Sequence, residues 1–187
     1  MQKAVGRRAL FSMAAGGTLA AAWGAGKPAA AGEVPLLGME ALKLTDPPAQ
    51  LPPAVLVDAG GQPHGIEEFA GKALVINLWA TWCVPCVAEL PALAALAVRV
   101  QDEGILVLAL SSDRGGAPVV EAFYRRHGIE GLPVWLDPKG AAARAGGARG
   151  VPTTLVIDRQ GRERGRLEGA ADWASDAAAA EIRRLAG

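Results

Sequence analysis

The feature that most constrains this chain is an apolar run that leads into a pair of cysteines and out again into a helical pattern. Ala73-Leu74-Val75-Ile76-Asn77-Leu78 is followed by Trp79-Ala80-Thr81-Trp82-Cys83-Val84-Pro85-Cys86 and then by Val87-Ala88-Glu89-Leu90. A continuous apolar run of this length reads as a strand buried on both faces, which needs a covering layer above and below it. Leu90, Leu93, Ala97 and Val100 then recur at helical spacing. Pro91 falls inside that pattern and is expected to remove a backbone hydrogen bond and bend the helix.

Cys83 and Cys86 are the only two cysteines in 187 residues. Two cysteines cannot make a disulfide scaffold, nor can they complete a four-ligand structural zinc site. His64 and His127 stand in separate loop-like contexts without metal-site spacing, so neither a metal nor a cofactor is expected. A cysteine at a helix start faces unpaired amides and the positive end of the helix dipole, which favour the thiolate. Cys83 occupies that place, Pro85 suits a first helical turn, and Cys86 lies one turn on, within reach of Cys83. Cys83 would attack a substrate disulfide and Cys86 would resolve the mixed disulfide. The competing readings are two small core residues or half a metal site.

Charge separates the chain into an address and a body. The first 31 residues carry Lys3, Arg7, Arg8 and Lys27 with no acid, which leaves 15 basic against 19 acidic residues in the remainder. That balance gives no footprint for nucleic acid. Gly6-Arg7-Arg8-Ala9-Leu10-Phe11, a mildly apolar run to Trp23, Lys27, and the small residues Ala29-Ala30-Ala31 together read as a twin-arginine-like export signal over residues 1–31, cleaved after Ala31. The expected location is the periplasm or another extracytoplasmic space. The alternative is an uncleaved membrane anchor, for which the run is short. Residues 32–53 are rich in proline and are expected to be an extended or irregular lead-in to one domain spanning residues 54–187.

Within that domain the apolar segments predict strands at Ala54–Asp58, Ala73–Ala80, Ile105–Leu110, Leu132–Leu136 and Gly150–Asp158. A turn at Arg159–Arg162 sends the chain back along Glu163–Glu168. Helical patterns fall between them: one turn at Ile66–Phe69, the helix after the cysteines, Pro118–His127, Lys139–Ala145 and Ala171–Leu185. Alternating strands and helices imply parallel pairing, and the final hairpin adds antiparallel strands. The expected fold is α/β: a mixed central sheet of five or six strands with helices on both faces.

The residues around the cysteines resemble the active site of the thioredoxin superfamily, specifically the TlpA/ResA-type thiol–disulfide oxidoreductases. Phe69-Ala70-Gly71-Lys72 resembles the family's approach to the motif, and Glu89-Leu90-Pro91 its continuation. Gly150-Val151-Pro152-Thr153-Thr154 resembles its cis-proline strand, and the helix–strand unit from Pro118 to Leu136 resembles its insertion into plain thioredoxin. The resemblance covers roughly residues 50 to 185. It implies a thioredoxin-like three-layer sandwich with an extra helix–strand insertion.

It also implies roles. Pro152 in the cis form would wall the sulfurs and leave the backbone of Val151 to pair with an extended substrate peptide; the alternative is an ordinary edge-strand proline. Trp82 offers a flat apolar docking surface, or else packs in the core. Plain thioredoxins keep a buried aspartate where this chain has Asn77. Glu89, one turn beyond Cys86, could take over proton handling and raise both thiol pKa values by repulsion, or else it is a solvated helix-face residue. His64 and His127 read as surface residues, and Trp135 and Trp173 as core. Arg159, Arg162, Arg164 and Arg166 read as a solvated face or a docking patch for an acidic partner.

The function so implied is an exported, monomeric thiol–disulfide oxidoreductase that reduces exported protein disulfides. Its clients would be of the apocytochrome c or copper-site assembly type, and a membrane thiol donor would re-reduce it. A disulfide oxidase or isomerase is the rival within the class, and a copper(I) metallochaperone the rival outside it. No P-x-x-x-T-x-x-C is present to support a peroxidase.

Overall fold

The structure is a computed structural model that describes residues 34–187. The expected export signal lies outside the described residues.

Among the described residues eight strands form one sheet. They are β1 (Lys43–Gln50), β2 (Val55–Asp58), β3 (Pro63–Gly65), β4 (Ala73–Trp79), β5 (Ile105–Ser111), β6 (Trp135–Leu136), β7 (Thr153–Ile157) and β8 (Arg162–Glu168), in the spatial order β1-β8-β7-β4-β5-β6-β2-β3. The helices are α1 (Val84–Val100), α2 (Ala117–His127), α3 (Ala141–Ala145) and α4 (Asp176–Ala186). β4 pairs in parallel with β5 and antiparallel with β7, and β5 pairs in parallel with β6 across α2. A parallel pair needs such a crossover, and the inserted helix supplies it.

All seven residues of β4 are buried. With a period of two, Ala73, Val75 and Trp79 join the core under α1, α2 and α4, while Leu74, Ile76 and Leu78 join a second core under α3 and the turn Ile66–Phe69. The layers are therefore three, with the larger helical cover on one face. Asn77 is the one polar side chain that β4 points into the larger core.

Four expectations are corrected. The sheet has eight strands rather than five or six, because β3 and β1 also pair. β1 comes from the proline-rich lead-in and runs antiparallel to β8, with a register shift between Leu44 and Ala49 that contains Pro47 and Pro48. A proline is tolerated at a sheet edge, where the missing donor faces away from a partner. The strand expected at Leu132–Leu136 shrinks to Trp135–Leu136. The last helix starts at Asp176 rather than Ala171, with the Ser175 hydroxyl accepting from the amide of Ala178 as its cap. Pro91 lies on the exposed side of α1, which continues as one helix to Val100.

Candidate functional site

The site forms at the carboxyl end of β4, where the chain turns into α1. Cys83 is the N-cap of α1 and its sulfur accepts from the amide of Cys86 at 3.3 Å. The two cysteines are joined as a disulfide with Cα atoms 5.3 Å apart. Cys83 keeps 6% of its surface exposed and Cys86 none. An incoming thiolate or disulfide therefore meets Cys83 first. Trp82 and Val84 flank it at 69% and 68% exposure, so Trp82 is a surface residue and not core packing.

The turn before Cys83 is anchored by a residue that the sequence reading passed over. Asp113, at the end of β5, accepts from the amide of Thr81 at 2.9 Å, from its hydroxyl at 2.7 Å and from the hydroxyl of Ser111 at 2.7 Å. Ligands and chemistry gather at the carboxyl ends of parallel strands. The position of Asp113 just beyond such a strand is the signal that could have singled it out.

Across the motif lies the loop before β7. The Val151–Pro152 peptide is cis. The carbonyl of Pro152 accepts from the amide of Gly169 at 3.0 Å, while the backbone of Val151 has no hydrogen-bond partner among the described residues. Pro85, from the first turn of α1, joins Arg149, Val151, Pro152, Glu168 and Gly169 around an open cleft of about 440 Å³. Helix α1 and the cis-proline loop thus share one groove.

Glu89 sits three residues beyond Cys86 on the buried face of α1, with none of its surface exposed. It is not a solvated helix residue. Its Oε1 accepts from Asn77 Nδ2 at 2.9 Å, and its Oε2 from the Ala171 amide at 2.9 Å and Trp173 Nε1 at 2.8 Å. Asn77 also donates to Thr154 Oγ1, its cross-strand partner on β7, at 2.9 Å. Asn77 Oδ1 is buried without a partner among the described residues. Burial pushes the carboxyl of Glu89 above its ordinary value, and the three donors only partly oppose it. Trp173 is core, as expected, but its indole nitrogen also serves Glu89. Sequence spacing offers no hint of that contact, since 84 residues separate the pair.

The remaining candidates fall elsewhere. His127 is exposed and stacks on Phe123. His64 is half-buried between Asp58 and Glu68. The four arginines are neither a free patch nor a freely solvated face. Arg162 and Arg164 pair with Asp158, Arg166 with Glu163, and Arg159 donates to the carbonyls of Glu103, Gly104 and Gly187. Trp135 is only half-buried, edge-on to His64 and Phe69.

Comparison with known proteins places this arrangement. The family model named Redoxin matches residues 45–181. ResA thiol-disulfide oxidoreductase of Geobacillus thermodenitrificans is 34% identical over 113 residues, covering 59% of this chain and 63% of the relative. ResA of Bacillus anthracis is 28% identical over 113 residues, covering 60% and 64%. The match thus spans just under two thirds of the length of these curated relatives. Among solved structures, a thiol:disulfide interchange protein of the thioredoxin family from Chlorobium tepidum superposes with a TM-score of 0.62 at 26% identity, covering 76% of this chain and 99% of the other. An exposed lipoprotein thioredoxin from Streptococcus pneumoniae gives 0.60 at 25% identity, with 71% and 99% covered. The chain belongs to the redoxin family, as a TlpA/ResA-type member of the thioredoxin superfamily.

Proposed function

We propose that the protein is an exported thiol–disulfide oxidoreductase that reduces protein disulfides through Cys83 and Cys86. The observation that carries this reading is a disulfide at a helix N-terminus with one sulfur at the surface, one enclosed, and a buried carboxyl one turn below. In the reduced protein the Cys83 thiolate attacks one sulfur of a client disulfide. The client S–S bond breaks, an S–S bond to Cys83 forms, and the first client thiolate leaves to take up a proton. Cys86 then gives its proton to Glu89 and attacks the Cys83 sulfur, expelling the second client thiolate. Two electrons pass from the dithiol to the client, and the protein is left with the Cys83–Cys86 disulfide. A thiol donor at the membrane restores the dithiol.

The residues around the cysteines supply the rest. Unpaired amides at the start of α1 favour the Cys83 thiolate. The open backbone of Val151 and the exposed ring of Trp82 can hold an extended client segment along the Pro152 wall. When Glu89 takes a proton its new O–H needs an acceptor, and rotation of the Asn77 amide brings the unpartnered Oδ1 to it. Clients of the apocytochrome c or copper-site assembly type fit an exported reductant that works alone as a monomer.

Trapping tests the whole reading. Cys86→Ala in cells should accumulate mixed disulfides between Cys83 and exported proteins, and failure to trap any exported protein would sink it. A reduction potential near or above about −120 mV would reverse the direction, giving an oxidase. Tight binding of one copper(I) by the reduced protein, with no turnover of insulin disulfides, would replace it with metal delivery.

A further inference from the structure

The lead-in before β1 does more than join the domain to what precedes it. Leu37 makes an isolated parallel bridge to Ala171. Its amide donates to the carbonyl of Ala170 at 2.8 Å and its carbonyl accepts from the amide of Asp172 at 2.9 Å. In an extended segment, the groups of residues 170 and 172 that point one way leave the amide of residue 171 pointing the other. That amide is the one that reaches Glu89 Oε2. The lead-in and Glu89 therefore grip opposite sides of the same three residues.

The rest of the segment tightens the connection. The Leu37 side chain crosses Gly169 so closely that a Cβ there would lie 2.9 Å from Leu37 Cδ1, and Gly169 has a φ of +116°, a conformation open only to glycine at low cost. The amide of Gly169 holds the carbonyl of Pro152, and the indole of Trp173 holds Glu89. On the near side Met39 and Ala41 pack against the larger core, and Leu42 is buried in it. Glu89 is thus held from two directions. Its Oε1 belongs to the sheet through Asn77, and its Oε2 belongs wholly to the 171–173 segment.

We propose that the lead-in around Leu37 is a positioning element of the redox site, a strap that seats residues 169–173 and so fixes both Glu89 and the carbonyl of Pro152. The proposal rests on the reading of Glu89 as the proton-handling group, and Trp173 and Leu37 act through it. Loosening the strap withdraws the donors of Oε2. The carboxylate is then less well stabilised, and Glu89 stays protonated to higher pH.

The test follows the pH dependence of iodoacetamide alkylation in the reduced full chain, with Glu89→Gln, Trp173→Phe and Leu37→Pro compared with the parent. Proline at residue 37 removes the donor to Ala170. The inflection that Glu89→Gln abolishes should move upward by about one pH unit in both other variants, the size expected for losing a hydrogen bond to a charged group. If Glu89→Gln changes the profile while Leu37→Pro follows the parent, the strap is overturned and the Glu89 reading stands. If Glu89→Gln leaves the profile untouched, the Glu89 reading fails instead.

Amide hydrogen exchange on the unmodified protein decides the strap itself in every case, including that of a variant that does not fold. The Leu37, Ala171 and Asp172 amides should open together, with protection factors within about tenfold of one another. An Ala171 amide that stays protected while Leu37 exchanges freely overturns the proposal.

Discussion

Two carboxylates in this molecule lack exposed surface, one deep and one in a turn, and are oppositely treated. Glu89, beneath the cysteines, and Asp158, in the turn between β7 and β8, both have no exposed surface. Glu89 is met by three neutral donors. Asp158 accepts from the amides of Gln160 and Arg162 at 3.0 and 2.9 Å and from Arg162 Nε at 3.0 Å, with Arg164 3.6 Å away. Burial would raise Asp158 as it raises Glu89, but the hydrogen bonds and the charge of Arg162 outweigh it and hold the carboxyl below its ordinary value. Burial alone does not set a protonation state: the hydrogen bonds to Asp158, from the Arg162 amide and guanidinium and from the Gln160 amide, outweigh it, whereas those to Glu89 do not. The distal turn holds its carboxyl toward the anion, and the site beneath the cysteines holds its own toward the neutral form.

The sharpest way to break this contrast is to remove each charge without removing the shape. Glu89→Gln should slow resolution of the mixed disulfide at pH 7 by about a hundredfold, the scale of a lost proton acceptor, measured by stopped-flow reduction of a model disulfide. It should cost under about 1 kcal/mol of stability, because the Asn77 amide can turn its unpartnered Oδ1 toward the new NH₂. Asp158→Asn should do the reverse. It should cost about 2 kcal/mol by urea unfolding, discounted because Arg162 is partly solvated, and leave the resolution rate unchanged.

The two sites should also carry opposite pH signatures. A carboxyl held below its ordinary value of 3.8 stabilises the fold above that pH and loses its contribution as acid protonates it. A carboxyl raised above 4.5 stabilises the fold relative to a non-titrating residue at acid pH, and this advantage is lost as pH climbs through the raised value. Urea unfolding between pH 3 and 8 should therefore show the parent gaining on Glu89→Gln as pH falls and losing its lead over Asp158→Asn.

Smaller effects extend the comparison beyond the carboxylates. Trp82→Ala should raise the KM for a protein disulfide about tenfold, the cost of one exposed aromatic anchor, with little change in the potential. His64 is raised above 6.5 by its hydrogen bond to Glu68, then by that to Asp58. Its contribution should be present below pH 6.5 and fade as pH rises through the raised value. His64→Gln should therefore weaken the fold in mild acid and match the parent at high pH.

The sequence made the redox end legible because its chemistry is local. Strand, Cys-x-x-Cys and helix are contiguous, and one turn of helix carries Cys86 to Glu89. The cis bond before Pro152 is implied by the resemblance of residues 150–154 to a family motif, while the sequence leaves Trp82 open between surface and core. What surrounds Glu89 is not legible there, because Ala171 acts through its main chain and Trp173 looks like any buried aromatic. The lead-in was obscured by its own prolines, which argue against a strand unless the strand lies at an edge. The arginines of β8 alternate along the strand as a solvated face would, and only the fold reveals that Asp158 and Glu163 sit within their reach.

The sheet's two borders have a consequence of their own. β1 carries Pro47 and Pro48 where its ladder breaks, and β3 at the far side is three residues long and begins with Pro63. Neither border offers the long, flat row of free amides on which another chain could template itself. A reductant of the proposed kind, meeting partly unfolded clients, would otherwise run a standing risk of joining their aggregates. Under the proposed function, an extended client segment would pair instead with the unpaired backbone beside Pro152, and attack of Cys86 on the Cys83 sulfur would end the encounter by expelling the client thiolate.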